Sequence, residues 1–251
     1  MSRLSRFVSQ FRYLSQTFAS NEVKLQYLKG HFSNRYATPA LRDRKIEFMK
    51  LVPSLSTSYD WFTPNIPRWL SVLDDHHLAQ KQGLQVLEIG SWEGLSAYFI
   101  LHTLPNATLT CVDTWEGSDE HKTGPFSKDY KPNKVEQSFD SNLAPFRDRL
   151  NKQKCASFSF FANSFGRNQF DLIYVDGSHY TDDVLIDAVK CFEMLKIGGL
   201  MIFDDYFWRL YPNPLDNPAT AINLFLRLKH GAYKLIDVSG QVTIQKTSDR
   251  P

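Results

Sequence analysis

The stretch VLEIGSWEGLS, Val86 to Ser96, runs from an apolar strand-like segment through Gly90 and Gly94 into a helix-like one. Glycines at such a junction let the chain turn sharply and let a ligand approach the free N–H groups of a helix start. A dinucleotide-binding loop would read G-x-G-x-x-G, but here Ser91 and Trp92 stand where that pattern puts its variable residue and second glycine. A pyrophosphate finds less room beside Trp92. Glu88 brings a carboxylate to the strand's C-terminal end, which suits a cationic or hydrogen-donating ligand group better than phosphate. Asp113, 23 residues after Gly90, ends the next strand segment, where an acidic side chain can accept ribose hydroxyls.

Outward from this loop the pattern alternates. LQVLEI (84–89) predicts a strand, Glu93 to His102 a helix, ATLTCVD (107–113) a strand and Val135 to Phe146 a helix; a weakly marked strand follows near Asn151 to Lys154. FDLIYVD (170–176) and GLMIFDD (199–205) are short continuous apolar runs of the kind buried parallel strands need. Between them, Val184, Ala188, Cys191, Phe192 and Leu195 share one helical face over Thr181 to Leu195. Asp182 and Asp183 fall in that helix's first turn, where its dipole favours negative charge, and Asp187 is expected to face solvent. Asn217-Pro218 is a cap and first-turn pair for the helix ATAINLFLRLK. AYKLIDV and QVTIQK, joined through Ser239-Gly240, predict a closing hairpin. The fold class is therefore α/β, a doubly wound, mostly parallel sheet with an antiparallel terminal strand.

The front of the chain differs. Residues 1–65 show helix-like patterns broken at Gly30 and Pro39, then a loop rich in proline and aromatics; they are expected to form a helical cap or oligomerisation segment ahead of a domain over 66–251. Residues 1–60 hold ten Lys/Arg against four Asp/Glu, in a chain of 251 residues with net charge +2. Any attraction to anionic surfaces belongs there. Leu4, Val8, Phe11, Leu14 and Phe18 lie at helical spacing among three Arg and five Ser, with no acid before Glu22. That pattern fits an organelle transit peptide, and fits better an amphipathic helix packed on its own domain or on a second copy in a homodimer. Cys111, Cys155 and Cys191 are widely separated, so neither a disulfide framework nor a zinc site is suggested, and a reducing cytoplasm is expected. No apolar run reaches the roughly 18 residues that span a bilayer. With no RNA-binding signature in the basic front, nucleic acid is a disfavoured partner.

Charge gathers at two strand ends. Asp176 ends one apolar run and Asp204-Asp205 end the next, 28 residues on, with one crossover helix between. In a parallel α/β sheet these ends are neighbours and face the ligand side. Three carboxylates there repel one another unless something positive joins them, and a hard divalent cation, Mg2+ by availability, is the simplest occupant. His179, three residues after Asp176, is a candidate general base whose alternative task is capping the following helix. His121, on a polar loop, is a weaker candidate.

LEIGSWEG with Asp113, FDLIYVDGSH and LKIGGLMIFDDY together resemble the class I S-adenosylmethionine-dependent methyltransferases over roughly residues 66–246. Within them the chain resembles the metal-dependent O-methyltransferases of the catechol, caffeoyl-CoA and macrolide-sugar type. The resemblance implies a seven-stranded sheet, S-adenosylmethionine as cofactor and a small hydroxylated acceptor, a sugar or catechol-like group. It implies cofactor contacts at Glu88, Gly90, Ser91 and Gly94 on the aminoacyl side, at Asp113 for the ribose, and at Trp115 and the Ala156-Ser157 stretch for the adenine. It implies metal ligation by Asp176, Asp204 and Asp205, with His179 where catechol-type enzymes carry a lysine proposed as base. Trp92 departs from the family's second glycine. A metal-independent methyltransferase acting on nitrogen or oxygen, a non-catalytic cofactor-binding or RNA-associated protein, and a nicotinamide-dependent oxidoreductase are the competing readings; Glu88 and the broken glycine fingerprint disfavour the last.

Overall fold

The computed structural model describes residues 3–118, 122, 131–164 and 166–250. Helices α1 (Arg3–Gln16), α2 (Asn21–Phe32), α3 (Pro39–Met49) and α4 (Ile66–Asp75) come first. They are followed by β1 (Leu84–Ile89), α5 (Leu95–Thr103), β2 (Ala107–Asp113), α6 (Pro132–Leu143), β3 (Leu150–Lys154) and α7 (Ser157–Asn163). The chain ends with β4 (Phe170–Val175), α8 (Thr181–Met194), β5 (Leu195–Phe203), α9 (Pro218–Leu228), β6 (Tyr233–Val238) and β7 (Val242–Lys246). The strands are ordered β3-β2-β1-β4-β5-β7-β6. β1 pairs parallel with β2, β2 with β3 and β4 with β5, while β7 runs antiparallel to both β5 and β6. This is the doubly wound α/β sheet with an antiparallel terminal strand expected from the pattern.

The chain divides into two compact units, Ser33–Phe160 and the remainder. In Ser33–Phe160, β1 is almost wholly buried, and Trp69 of α4 and Phe99 of α5 meet edge to face at 6.0 Å. Helix α5 starts at Leu95, not Glu93, because Gly94 sits at φ +83° as its left-handed cap. Helix α6 ends at Leu143, where Ala144-Pro145 turns the chain into a 3-10 segment, so the helix expected to run to Phe146 stops short.

In the second unit, Phe192, Phe203 and Phe225 interlock beneath the strands. Helix α2 continues through Gly30, contrary to the expected break. A Cβ there would lie 3.3 Å from Asp237 Oδ1 and 3.4 Å from the Val238 carbonyl, so the glycine lets the helix lie close on β6. Pro39 opens α3 at its first turn behind the Thr38 cap. Asp187 was expected at the surface of α8 but is only 2% exposed. It lies on the α8 face that buries Val184, Ala188 and Cys191; burial, and then the Asp187 charge, pushes the Cys191 thiol up. Helix α1 is tied to its own unit: Asn223 Nδ2 donates to the Thr17 carbonyl at 2.9 Å, and Tyr13 Oη donates to the Trp208 carbonyl at 3.3 Å. No helix among the described residues is long and apolar enough to cross a membrane.

Candidate active site

Within Ser33–Phe160 the glycine loop and the end of β2 form one assembly. The parallel register sets Glu88 beside Cys111, and the fully buried carboxylate accepts from Ser96 Oγ at 2.6 Å and from Cys111 Sγ at 3.4 Å. Burial pushes Glu88 up to about 7, with neighbouring hydroxyls opposing the shift. Ser91 Oγ is close enough to influence the ionisation of Glu88 and Cys111, yet it makes no well-aligned hydrogen bond.

Asp113 is the keystone of this loop. Its Oδ2 accepts the backbone N–H groups of Ser91 at 2.7 Å and Trp92 at 2.9 Å, and its Oδ1 accepts that of Trp115 at 2.7 Å. These bonds hold Trp92 at φ +47° and Trp115 at φ +54°, a left-handed region that bulky residues rarely enter. Trp115 Nε1 closes the loop by donating to the Trp92 carbonyl at 2.9 Å. The Trp115 ring, which the resemblance assigns to the adenine, is buried 4.8 Å from Phe139, with Lys152 Nζ 4.6 Å from its centroid. Gly94 has a packing reason of its own: a Cβ there would come within 2.4 Å of Leu143 and 3.0 Å of Phe139 on α6. Ser157 opens α7, half-buried, after an exposed Ala156.

A second layer braces the loop. Glu93 accepts from the backbone N–H and hydroxyl of Ser58 at 2.5 and 2.9 Å, while Asn142 Nδ2 donates to the Glu93 carbonyl at 2.8 Å. Tyr59 stacks on Trp61 at 4.9 Å, and Trp61 lies 5.7 Å from Trp92. Neither Glu93 nor Asn142 was legible as a brace, because each needs a partner distant in sequence.

The other unit carries the second assembly, at the neighbouring C-terminal ends of β4 and β5. One oxygen or nitrogen from each of Asp176, His179 and Asp205 lies within 4.8 Å of the others. His179 Nε2 is 2.6 Å from Asp205 Oδ2, and its ring stacks on Trp208 at 4.6 Å and 13°. Asp205 sits at φ +55°, an orientation that Asp tolerates better than most residues. Asp204 is turned the other way. Its Oδ2 accepts from Tyr174 Oη and, at 2.9 Å, from Gln241 Nε2, while its Oδ1 accepts the N–H of Asp205 at 2.7 Å. Tyr174 Oη also lies 3.0 Å from Asp176 Oδ2. Burial, then the nearby charges of Asp204 and Asp205, holds Asp176 well above the usual carboxylate range. Burial, then the charge of Asp205, raises Asp204 to about 6, with hydrogen bonds from Tyr174, the Asp205 N–H and Gln241 opposing the shift.

The structure therefore brings Asp176, His179 and Asp205 together and sets Asp204 behind them. Asp182 and Asp183 occupy the first turn of α8, as expected for its electrostatic cap. Tyr206 is buried behind the site, donating to Asn223 Oδ1 at 2.7 Å. His121 lies outside the described residues. Tyr174 and Gln241 were missed: Tyr174 is two residues before Asp176 and so shares its face of the strand, a signal available in FDLIYVD, whereas nothing in the sequence marks Gln241.

Strand order, reversed β7 and a glycine loop after β1 whose N–H groups are held by the acid ending β2 define a class I methyltransferase fold. Residues 87–206 match the family model described as a methyltransferase domain. Among solved structures the chain is similar to an O-methyltransferase described from Klebsiella pneumoniae, with 16% identity, TM-score 0.54, and 91% of this chain and 100% of that one covered. It is also similar to an O-methyltransferase from Bacillus cereus solved with S-adenosylhomocysteine, at 14% identity, TM-score 0.51, and 89% and 100% coverage. A third is the O-methyltransferase TomG from Streptomyces achromogenes, solved with S-adenosylmethionine, at 14% identity, TM-score 0.50, and 99% and 100% coverage. These likenesses concern the fold. No curated protein matches the chain in sequence.

Proposed function

We propose that the chain transfers a methyl group from S-adenosylmethionine to a hydroxyl oxygen of a small molecule, using a divalent cation held by Asp176 and Asp205 with Asp204 behind them. The observation that carries this reading is the convergence of Asp176, His179 and Asp205 within 4.8 Å at two strand ends of a methyltransferase fold. The two carboxylates, with water completing the shell, suit one hard cation, Mg2+ by availability, and leave the imidazole beside it as a base. On the cofactor side, the fit rests on Gly90 and Gly94 at positive φ in the turn after β1 and on the acceptor position that Asp113 keeps beyond its bonds to the loop.

S-adenosylmethionine supplies an activated methyl group, and a bound cation supplies the positive charge that makes an acceptor hydroxyl more acidic. His179 would take the hydroxyl proton as the acceptor oxygen receives the methyl group that S-adenosylmethionine would supply, its sulfur leaving as a neutral thioether. Asp205 and Trp208 fix the imidazole, the first by a hydrogen bond and the second by stacking. Alignment supplies most of the remaining rate.

Calorimetry and turnover test this. Asp205→Ala abolishes Mg2+ binding and turnover while S-adenosylmethionine binding survives, and His179→Gln keeps the cation but loses turnover. Failure to bind S-adenosylmethionine overturns the whole reading. The His179–Asp205 hydrogen bond also favours a metal-independent transferase, with the carboxylates serving only as acceptors; turnover unaffected by EDTA selects that alternative.

A further inference from the structure

We infer that Tyr174 is a positioning residue for the cation site, its hydroxyl setting the carboxylates of Asp176 and Asp204 from behind; this rests on the cation reading above. Tyr174 is fully buried in β4, where phenylalanine would fill nearly the same space without a polar atom. A buried hydroxyl without a partner is costly, so its presence calls for one. It meets Asp176 Oδ2, at 3.0 Å, and Asp204 Oδ2, and Gln241 Nε2 approaches it at 3.5 Å. These carboxylates follow two different strands, and the hydroxyl bridges them.

Charge counting separates orientation from neutralisation. One phenol has one proton and no positive charge, so it donates to one of the two carboxylates at a time; lodged between them, it limits where both point without cancelling their repulsion. Gln241 adds a second neutral donor to Asp204, at 2.9 Å from a residue 3% exposed. Neutral donors on the buried side leave the attraction for a cation intact on the other. Asp176 has only one oxygen engaged by Tyr174, so the bridge aims the carboxylate toward His179 and Asp205 while its second oxygen remains for a ligand. Supporting hydrogen bonds of this kind typically account for about 10- to 100-fold in metal affinity.

Mn2+ serves as the probe, its binding followed by electron paramagnetic resonance in the full-length protein. Tyr174→Phe is expected to weaken Mn2+ binding by about ten-fold or more. Its affinity for S-adenosylmethionine should be unchanged, and raised Mn2+ should restore turnover. Gln241→Leu, which leaves Tyr174 in place and removes the second donor to Asp204, is expected to give a smaller loss in the same direction and serves as the test if Tyr174→Phe does not fold. Wild-type Mn2+ affinity in whichever of these variants folds overturns the inference. An equal loss of cation and S-adenosylmethionine affinity also overturns it, since that marks general damage. Absence of Mn2+ binding by the unaltered protein overturns the cation reading itself.

Discussion

Replacing Glu88 by glutamine should change how stability depends on pH. The Glu88 carboxyl is fully buried on β1 and is pushed up to about 7 from an ordinary value of 4.5. A raised carboxylate pKa means that the folded state holds its proton more tightly than the unfolded state. Below about pH 4.5 both states are protonated and the group is neutral to stability. As pH climbs toward 7 the unfolded chain ionises first, so folding is progressively disfavoured until the folded carboxyl ionises too. At about 1.4 kcal/mol for each pH unit the gap amounts to about 3 kcal/mol, most of it between pH 5 and pH 8. Glutamine keeps an acceptor for Ser96 Oγ and does not ionise, so Glu88→Gln should gain on the parent by about 2 to 3 kcal/mol between those pH values. Urea denaturation of both proteins without cofactor, at pH 5 and pH 8, measures this. Contributions from Asp176 and Asp204 are common to both proteins and cancel in the difference. A stability difference that is the same at both pH values, within about 0.5 kcal/mol, would refute burial as the cause of the shift.

Gly94→Ala should destabilise by about 2 to 4 kcal/mol in urea, since φ +83° disfavours any Cβ and the new methyl meets Leu143 and Phe139; a loss under 1 kcal/mol on the order of a surface change would contradict the packing. Mg2+ affinity measured by calorimetry should rise from pH 5 to pH 8, because the raised Asp176 and Asp204 carboxyls hold protons that a cation must displace; a flat profile would contradict that direction. Asn223→Ala should cost about 2 to 4 kcal/mol, because it strips the buried Tyr206 hydroxyl of its acceptor and the Thr17 carbonyl of its donor; thermal melting checks it, and an unchanged midpoint would show the site relaxing around the gap.

The strands were legible because burial on both faces leaves unmistakable apolar runs: LQVLEI, FDLIYV and the hairpin pair lie where the pattern puts them. Boundaries slipped where one residue overrides a period. Pro145 ends α6 early, Gly30 serves close packing instead of breaking α2, and Asp187 is buried on a helix whose pattern had placed it outside. Strand-end position marked Asp176, Asp204 and Asp205 as neighbours, but their pointing was not legible. It depends on Tyr174 and Gln241, the second of which arrives from a hairpin turn 37 residues beyond Asp204. Spacing reports which residues meet; the donors around them decide which way each one faces.

Trp92 shows what the loop gains by carrying a bulky residue where a G-x-G-x-x-G loop has its second glycine. A tryptophan at φ +47° carries backbone strain of order 1 kcal/mol, and the structure offsets it with the bond from its N–H to Asp113 and the bond from Trp115 Nε1 to its carbonyl. Asp113 Oδ2 then has both lone pairs engaged by Ser91 and Trp92, and Oδ1 has one engaged by Trp115. One acceptor position remains on the carboxylate. A ligand diol can therefore place one hydroxyl on Asp113 with the loop intact, whereas a two-hydroxyl grip would require surrender of a bond that holds Trp92 or Trp115 in its left-handed turn. The carboxylate that reads as a ligand contact in sequence is, in the fold, first a clamp on the loop that would surround that ligand.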